Sequence, residues 1–204
     1  MKKYIFMLFL RCGMLLLLCG VAESALGGQL EDGKAALDRN DYSSALDLLR
    51  PLAQGGDAAA QYLVGVMYRK GTGTARDSAE AAAWFRKAAD QNDAESQDAL
   101  GQMYRSGEGV PQDLLQGYMW TKKAAGHGDA QAQLRLSRIY DAGEGVGSDR
   151  VLAYMWLILA IEHATAQQPN VKPEAIRLRN QLKTQLSAKQ LADAEMFARD
   201  WKPK

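Results

Sequence analysis

From Gln29 to Ala164 the apolar positions recur at intervals of three and four residues, the spacing of amphipathic helices, and the whole pattern repeats every 36 residues. Three full copies run without a gap over 57–92, 93–128 and 129–164. In the first helix of each copy, Val64, Leu100 and Leu136 lead to Met67, Met103 and Ile139 and then to Tyr68, Tyr104 and Tyr140, one buried stripe. Gly65, Gly101 and Ser137 lie beside that stripe, where a small residue lets a partner helix come close. The second helix sets Ala81, Gly117 and Ala153 beside Trp84, Trp120 and Trp156, with Ala88, Ala124 and Ala160 completing the face. Large against small at fixed places is how neighbouring helices interlock.

The polar positions punctuate these helices. Gly56, Asn92 and Gly128 stand where a left-handed residue is wanted just past a helix. Asp57, Asp93 and Asp129 follow as N-caps. Within each copy a loop with paired glycines (71 and 73, 107 and 109, 143 and 145) ends the first helix, and Asp77, Asp113 and Asp149 open the second. Asp77 with Glu80 and Asp113 with Gln116 resemble capping boxes.

The flanks are variations on the unit. Residues 29–56 form a shorter hairpin, with Leu30, Gly33 and Leu37 on one helix and Ala45, Leu48, Leu49 and Leu52 on a helix over about Tyr42 to Gln54. Pro51 is expected to kink that helix or end it early. After Ala164 the repeat fails. In 165–204, Thr165 to Lys172 reads as a loop, and Pro173-Glu174 begins a helix reaching about Leu186. Ser187 to Gln190 is a capping box for a last helix through Leu191, Ala194, Phe197, Ala198 and Trp201. The prediction is an all-α fold, an α/α superhelical repeat solenoid of antiparallel helix hairpins closed by a C-terminal capping helix pair.

Residues 1–27 have a different character. Lys2 and Lys3 precede apolar tracts at Tyr4–Leu10 and Cys12–Val21, and small residues follow, the order of a secretory signal peptide cut near Ser24 or Gly27. The alternative is an uncleaved membrane anchor. Arg11 near its centre costs about 3 kcal/mol, which about ten strongly apolar neighbours at about 0.3–0.6 kcal/mol each more than offset. A lipid anchor on Cys19 is a third reading, weakened by the absence of a small residue just before it. Both cysteines, Cys12 and Cys19, lie in this segment, so a chain cut after it has no disulfide and no thiolate metal site. The expected location is therefore periplasmic or secreted, with membrane contact only if the segment is retained.

Composition narrows the chemistry further. The chain carries 25 Lys and Arg against 24 Asp and Glu, a net charge of +1, without long runs of one sign, which argues against nucleic acid as a partner. The glycine loops lack the third glycine of a dinucleotide fingerprint and the Gly-Lys-Ser/Thr of a P-loop. His127 and His163 are one repeat apart; equivalent atoms of adjacent repeats are about 10 Å apart, far beyond the ~2 Å bonds of a shared zinc. Gly-x-Ser-x-Gly does not occur, and no serine stands three before a lysine. No metal, cofactor or catalytic residue is expected.

The skeleton AxxxLGxMYxxGxGVxxD followed by AxxWxxxAAxxGDA, carried in the middle copy by Ala94, Leu100, Gly101, Met103, Tyr104, Gly107, Gly109, Val110, Asp113, Trp120, Ala124 and Ala125, resembles the Sel-one-like repeats, relatives of the tetratricopeptide repeats. Thr74 replaces Val in the first full copy, and Ser137 and Ile139 replace Gly and Met in the third. The resemblance implies an adaptor in protein complexes; exported bacterial members are often regulators or scaffolds of the envelope. The alternative is a cell-wall protein or enzyme that interacts with peptidoglycan or β-lactams; cysteine-rich relatives are linked to β-lactam binding, and this chain lacks their cysteines. By the tetratricopeptide arrangement, first-helix positions off the core stripe line a concave face. Those are Tyr62, Val66 and Arg69, then Asp98, Gln102 and Arg105, then Leu134, Arg138 and Asp141. Three arginines, an aromatic ring and two acids there would suit an extended peptide with an acidic group. The expected protein is a monomer that binds a protein or peptide partner and catalyses nothing.

Overall fold

A computed structural model describes residues 28–203. The predicted signal or anchor segment, residues 1–27, and with it Cys12 and Cys19, lies outside the described residues. Ten helices and no strand are present among the described residues. They are α1 (28–38), α2 (Tyr42–Gln54), α3 (Ala58–Lys70), α4 (Ser78–Ala89), α5 (Ala94–Ser106), α6 (Leu114–Gly126), α7 (Ala130–Ala142), α8 (Arg150–His163), α9 (Val171–Lys183) and α10 (Ala188–Asp200). Each helix packs on the next in the chain from α2 to α9, the arrangement of a repeat solenoid. Among the described residues, no helix is long and apolar enough to cross a membrane.

The predicted N-caps and left-handed turns form as read, but Asp77 with Glu80 and Asp113 with Gln116 do not close capping boxes, because the N-cap N–H groups donate to the carbonyls of Tyr68 and Tyr104. Asp57, Asp93 and Asp129 accept from Ala60 N, Ser96 N and Ala132 N, and Asp77, Asp113 and Asp149 cap α4, α6 and α8. Gly56, Asn92 and Gly128 adopt positive φ. In the loops the first glycine closes the helix in the left-handed conformation. The second has a further duty: a Cβ at Gly73, Gly109 or Gly145 would overlap the carbonyl of Tyr42, Ser78 or Leu114, the opening residue of the preceding repeat's second helix. The loop glycines thus let one repeat seat on the next. Within each repeat the backbone closes the loop itself, since Asp77 N, Asp113 N and Asp149 N donate to the carbonyls of Tyr68, Tyr104 and Tyr140.

The core follows the predicted stripes. Val64, Leu100, Leu136, Met67, Met103 and Ile139 are buried, as are Trp84, Trp120 and Trp156. A Cβ on Gly65 would lie 2.8 Å from the Phe85 ring, and one on Gly101 would lie 2.6 Å from Thr121 Oγ1, so these small residues do set the approach of the paired helix. Of the three stripe tyrosines Tyr140 is buried, whereas Tyr68 and Tyr104 are half-buried at the edge of the stripe.

Three details at the flanks depart from expectation. α2 runs three residues beyond Pro51 instead of ending there. Pro51 and Asp47, whose carbonyl loses its helical partner, are both exposed, so solvent can satisfy that oxygen. α9 starts at Val171 and ends at Lys183, which places Pro173 in the first turn, where its missing N–H has no helical acceptor in any case. On α10 the capping box at Ser187 and Gln190 forms and Ala194 and Ala198 are buried, but Phe197 is 42% exposed. α9 and α10 both pack mainly on α8. Trp201 closes this end, with its ring 6.1 Å from that of Trp156 and 5.2 Å from that of His163.

Candidate functional site

The first helices of the repeats carry buried residues on one side and present the other to a groove that crosses α3, α5 and α7. It has a volume of about 320 Å³, and five of the expected residues line it: Tyr62, Val66, Arg69, Asp98 and Gln102. Their neighbours along the wall include Phe85, Glu95, Asp129 and Arg135. Tyr62 and Val66 supply the apolar part, the Tyr62 ring resting tilted on the buried Phe85 ring with 5.8 Å between centroids. Arg105 lies in an adjoining depression shared with Arg69, Gln102 and Arg135.

Asp129, Gln131 and Arg135 of the third repeat line this groove, but the three positions expected there do not. Leu134, expected to line the face, is 3% exposed and belongs to the core cluster that includes Val171 and Ala175 of α9. That expectation is corrected: the helix after the last repeat covers the position. Arg138 donates to Glu174 Oε1 at 2.7 Å, also on α9, and Asp141 lies 3.5 Å from Arg150. These two residues border a separate pocket against α9, with Leu178 and Leu182.

The charges are not arranged as expected. Arg69 donates twice to Glu108 Oε2, at 3.0 and 2.7 Å, and Arg105 donates twice to Glu144 Oε2, the Nε bond measuring 2.9 Å. Both acceptors sit in the glycine loop of the following repeat, so each arginine clasps one repeat to the next. Glu108 also takes Arg76 and Ser78. The hydrogen bond from Arg69 leads the interactions that hold the Glu108 carboxyl below the usual carboxylate range. A signal for the clasp was present in the sequence: Arg recurs at 69 and 105, and Glu at 108 and 144.

Asp98 is the groove's most buried charge, 6% exposed. Its Oδ2 accepts from Arg135 Nε at 2.9 Å and from Gln102 Nε2 at 3.0 Å, while Oδ1 is buried with no hydrogen-bond partner among the described residues. Burial pushes its carboxyl up despite Arg135, and the nearby Asp129 adds to the shift. Burial also raises the Tyr62 hydroxyl, reinforced by Glu95, Asp93, Asp98 and Asp129. The lining as a whole is balanced, with Arg69, Lys70 and Arg135 set against Glu95, Asp98 and Asp129.

A second unforeseen series is structural. Gln61, Gln97 and Gln133 are buried and donate through Nε2 to the carbonyls of Ala53, Ala89 and Ala125, at 3.1, 3.2 and 3.2 Å. Each ties a first helix to the end of the helix before it, satisfying a helix-end carbonyl. Gln91 Nε2 donates to Gln61 Oε1 at 2.8 Å, and His163 Nδ1 lies 3.0 Å from Gln133 Oε1, so His163 braces an inter-helix contact. Among the described residues, no group of three or more His, Cys, Asp and Glu is placed to hold a metal.

Tandem hairpins stacked through recurrent glycines, caps and glutamine ties define an α/α repeat solenoid. The Sel1 repeat model matches residues 20–57, 58–93, 94–129 and 130–164, and the chain belongs to the Sel1 repeat family. Proteins of this family are generally protein-interaction scaffolds, and the fold is typically non-catalytic. The chain is similar to the structure of c5321, a protective antigen present in uropathogenic Escherichia coli strains displaying an SLR fold. The two are 26% identical with a TM-score of 0.59, over 86% of this chain and 45% of that one. The chain thus spans less than half the length of that relative. It is also similar in fold to a Sel1 repeat protein from Oxalobacter formigenes, at 24% identity and a TM-score of 0.64, over 84% of this chain and 74% of the other. No curated protein matches the chain.

Proposed function

We propose that this Sel1 repeat protein is an exported, monomeric, non-enzymatic scaffold that binds a protein or peptide partner in the groove across α3, α5 and α7, within an envelope complex or signalling pathway. The observation that supports the reading is the convergence of Tyr62, Val66, Asp98 and Gln102 on one groove, at positions where the repeats differ from one another. The residues that recur are engaged as caps, turns, ties and core. A rigid frame lowers the ordering cost of association, because the surface is formed before the partner arrives. Export rests on the charged, apolar and small-residue order of residues 1–27.

The test places a photo-crosslinking amino acid at Gln102 and, as a control, at Leu115, which is 53% exposed on α6. In the envelope fraction of cells carrying the chain, Gln102 is expected to capture one partner, competed away by a peptide copied from the crosslinked segment. Capture from Leu115 alone would place the binding surface elsewhere. Mass spectrometry of the same material is expected to find the mature chain beginning near Ser24 or Gly27; an intact Met1 would replace cleavage with anchoring.

A further inference from the structure

The second helices of the repeats carry a recurrent outward row that takes no part in the groove. In α4 the row is Ala79, Ala83, Arg86 and Lys87, and in α6 it is Leu115, Met119, Lys122 and Lys123, all of them exposed. Steps of four, three and one keep each row on one side of its helix. Leu115 and Met119 are 53% and 45% exposed, large apolar side chains standing in solvent where α4 has only alanine. In α8 the same row reads Val151, Met155, Ile158 and Leu159, and there it is covered: Met155 is 6% exposed and Leu159 2%.

The cover is α10. It packs on α8, its Glu195, Ala198 and Arg199 share a pocket wall with Ile158 and Leu159, and Trp201 just beyond it meets the Trp156 ring. The third repeat thus shows how a helix is laid on this row, and α6 leaves the same row open. The two rows differ at one end, where Lys122 and Lys123 stand in place of Ile158 and Leu159. Arg86, Lys87, Lys122 and Lys123 lie over the rings of Tyr104, Trp84, Tyr118 and Trp120, and among the described residues none of these cations is in an ion pair. The carboxylates of the two helices and their caps are Glu80 and Asp90 at the ends of α4 and the N-caps Asp77 and Asp113; α6 itself has none. A helix covering Leu115 and Met119 would also cover the ammonium groups beside them, which is costly unless it brings carboxylates to them.

We propose that the outward face of α6 is a second docking surface and takes an acidic amphipathic helix of a partner protein. Its apolar stripe lies on Leu115 and Met119, and its carboxylates meet Lys122 and Lys123 of α6 and Arg86 and Lys87 of α4. The surface does not depend on the groove, and Leu115, the control position for the groove, reports on it.

The test is an NMR titration of the full chain with a stapled synthetic helix of about four turns, leucine at every third or fourth position and glutamate on the flanks. Two peptides run in parallel: the same helix with lysine for glutamate, and an acidic peptide in which the leucine spacing is scrambled. The acidic helix is expected to shift the backbone amides of Leu115, Met119 and Lys122 saturably and to leave those of Tyr62 and Gln102 in place. The lysine helix is expected to bind at least about tenfold more weakly, because two or more ion pairs become repulsions. Met119→Glu, at an exposed position, is expected to abolish binding, and Lys122→Glu with Lys123→Glu to transfer the preference to the lysine helix. Shifts confined to the groove, equal binding of the lysine helix or the scrambled peptide, or no binding of the acidic helix overturns the site. So does an unchanged preference in the folded double variant; if that variant does not fold, Met119→Glu decides by itself. Binding to phosphatidylglycerol vesicles through Leu115 and Met119, without binding of the acidic helix, would replace the helix with an anionic membrane. In the crosslinking experiment, capture at Gln102 alone overturns this inference and leaves the groove reading intact. Capture at Leu115 of an acidic helical segment supports the second surface whatever Gln102 captures.

Discussion

Tyr62, Asp98 and Leu134 occupy the same place in three consecutive repeats and meet different fates. Tyr62 and Asp98 line an open groove, whereas Leu134 is buried in the cluster that α9 joins. The same holds one turn on, where Val66 and Gln102 face the groove while Arg138 is tied to α9 through Glu174. The difference lies in the neighbour that each repeat acquires from the chain beyond it. After each of the first two full repeats comes another repeat, whose first helix extends the wall of the groove. After the third comes a helix that packs on α8 and reaches over α7, ending the surface. A register position therefore does not decide exposure in a solenoid; the next element does.

The sharpest way to break this comparison is to truncate both ends of it. Leu134→Ala is expected to lower stability by about 2–5 kcal/mol in chemical denaturation, the range for a buried leucine. Tyr62→Ala, at a half-buried ring on the groove, is expected to lose less while abolishing groove binding. A loss below about 1 kcal/mol for Leu134→Ala, well under the buried range, would put the third repeat back on the open face.

The next test concerns the arginines. Read from the sequence alone, Arg69 and Arg105 look like ligand-binding charges, because they lie off the core stripe. In the structure each reaches 39 residues ahead to a loop glutamate. A double-mutant cycle on Arg69 and Glu108 is expected to give a coupling of about 1 kcal/mol, at the upper end for exposed ion pairs because two N–H groups share Oε2 and the pair is partly sheltered. The cycle on Arg138 and Glu174 is expected to give less, since Arg138 is 46% exposed. Zero coupling at Arg69 and Glu108 would free that arginine for a ligand.

These outcomes bear on how far the sequence could be read. Caps and left-handed turns such as Asp93 and Asn92 were legible because their chemistry is local and the residue type almost dictates the role. The tryptophans were legible because period and size agree at three places. The Gln61, Gln97 and Gln133 ties were not, because a polar residue on a helix is ordinarily assigned to solvent, although its recurrence at one repeat spacing was a usable signal. Leu134 was not, because its cover comes from the one part of the chain that does not repeat. Asp98 lines the groove, but that its Oδ1 is buried without a donor depends on Gln102 and Arg135 both choosing Oδ2, which no spacing reveals.

The smallest expected effect is a pH dependence at the capped end. Glu174 accepts from Arg177 and Arg138, and the Arg177 hydrogen bond is the main reason its carboxyl is held down at about 2. Its ordinary value is 4.5. A carboxyl depressed in the folded state stabilises the fold while ionised; that contribution is complete above the ordinary value and is lost as pH falls towards about 2. Glu174→Gln should therefore lower the melting temperature slightly at neutral pH and make no difference near pH 2, where the natural side chain is itself becoming protonated. The group is solvent-facing, so salt should shrink the neutral-pH difference. A difference that persists unchanged at the acid end would mean that Glu174 acts through packing, and that α9 holds the last repeat closed by its apolar face alone.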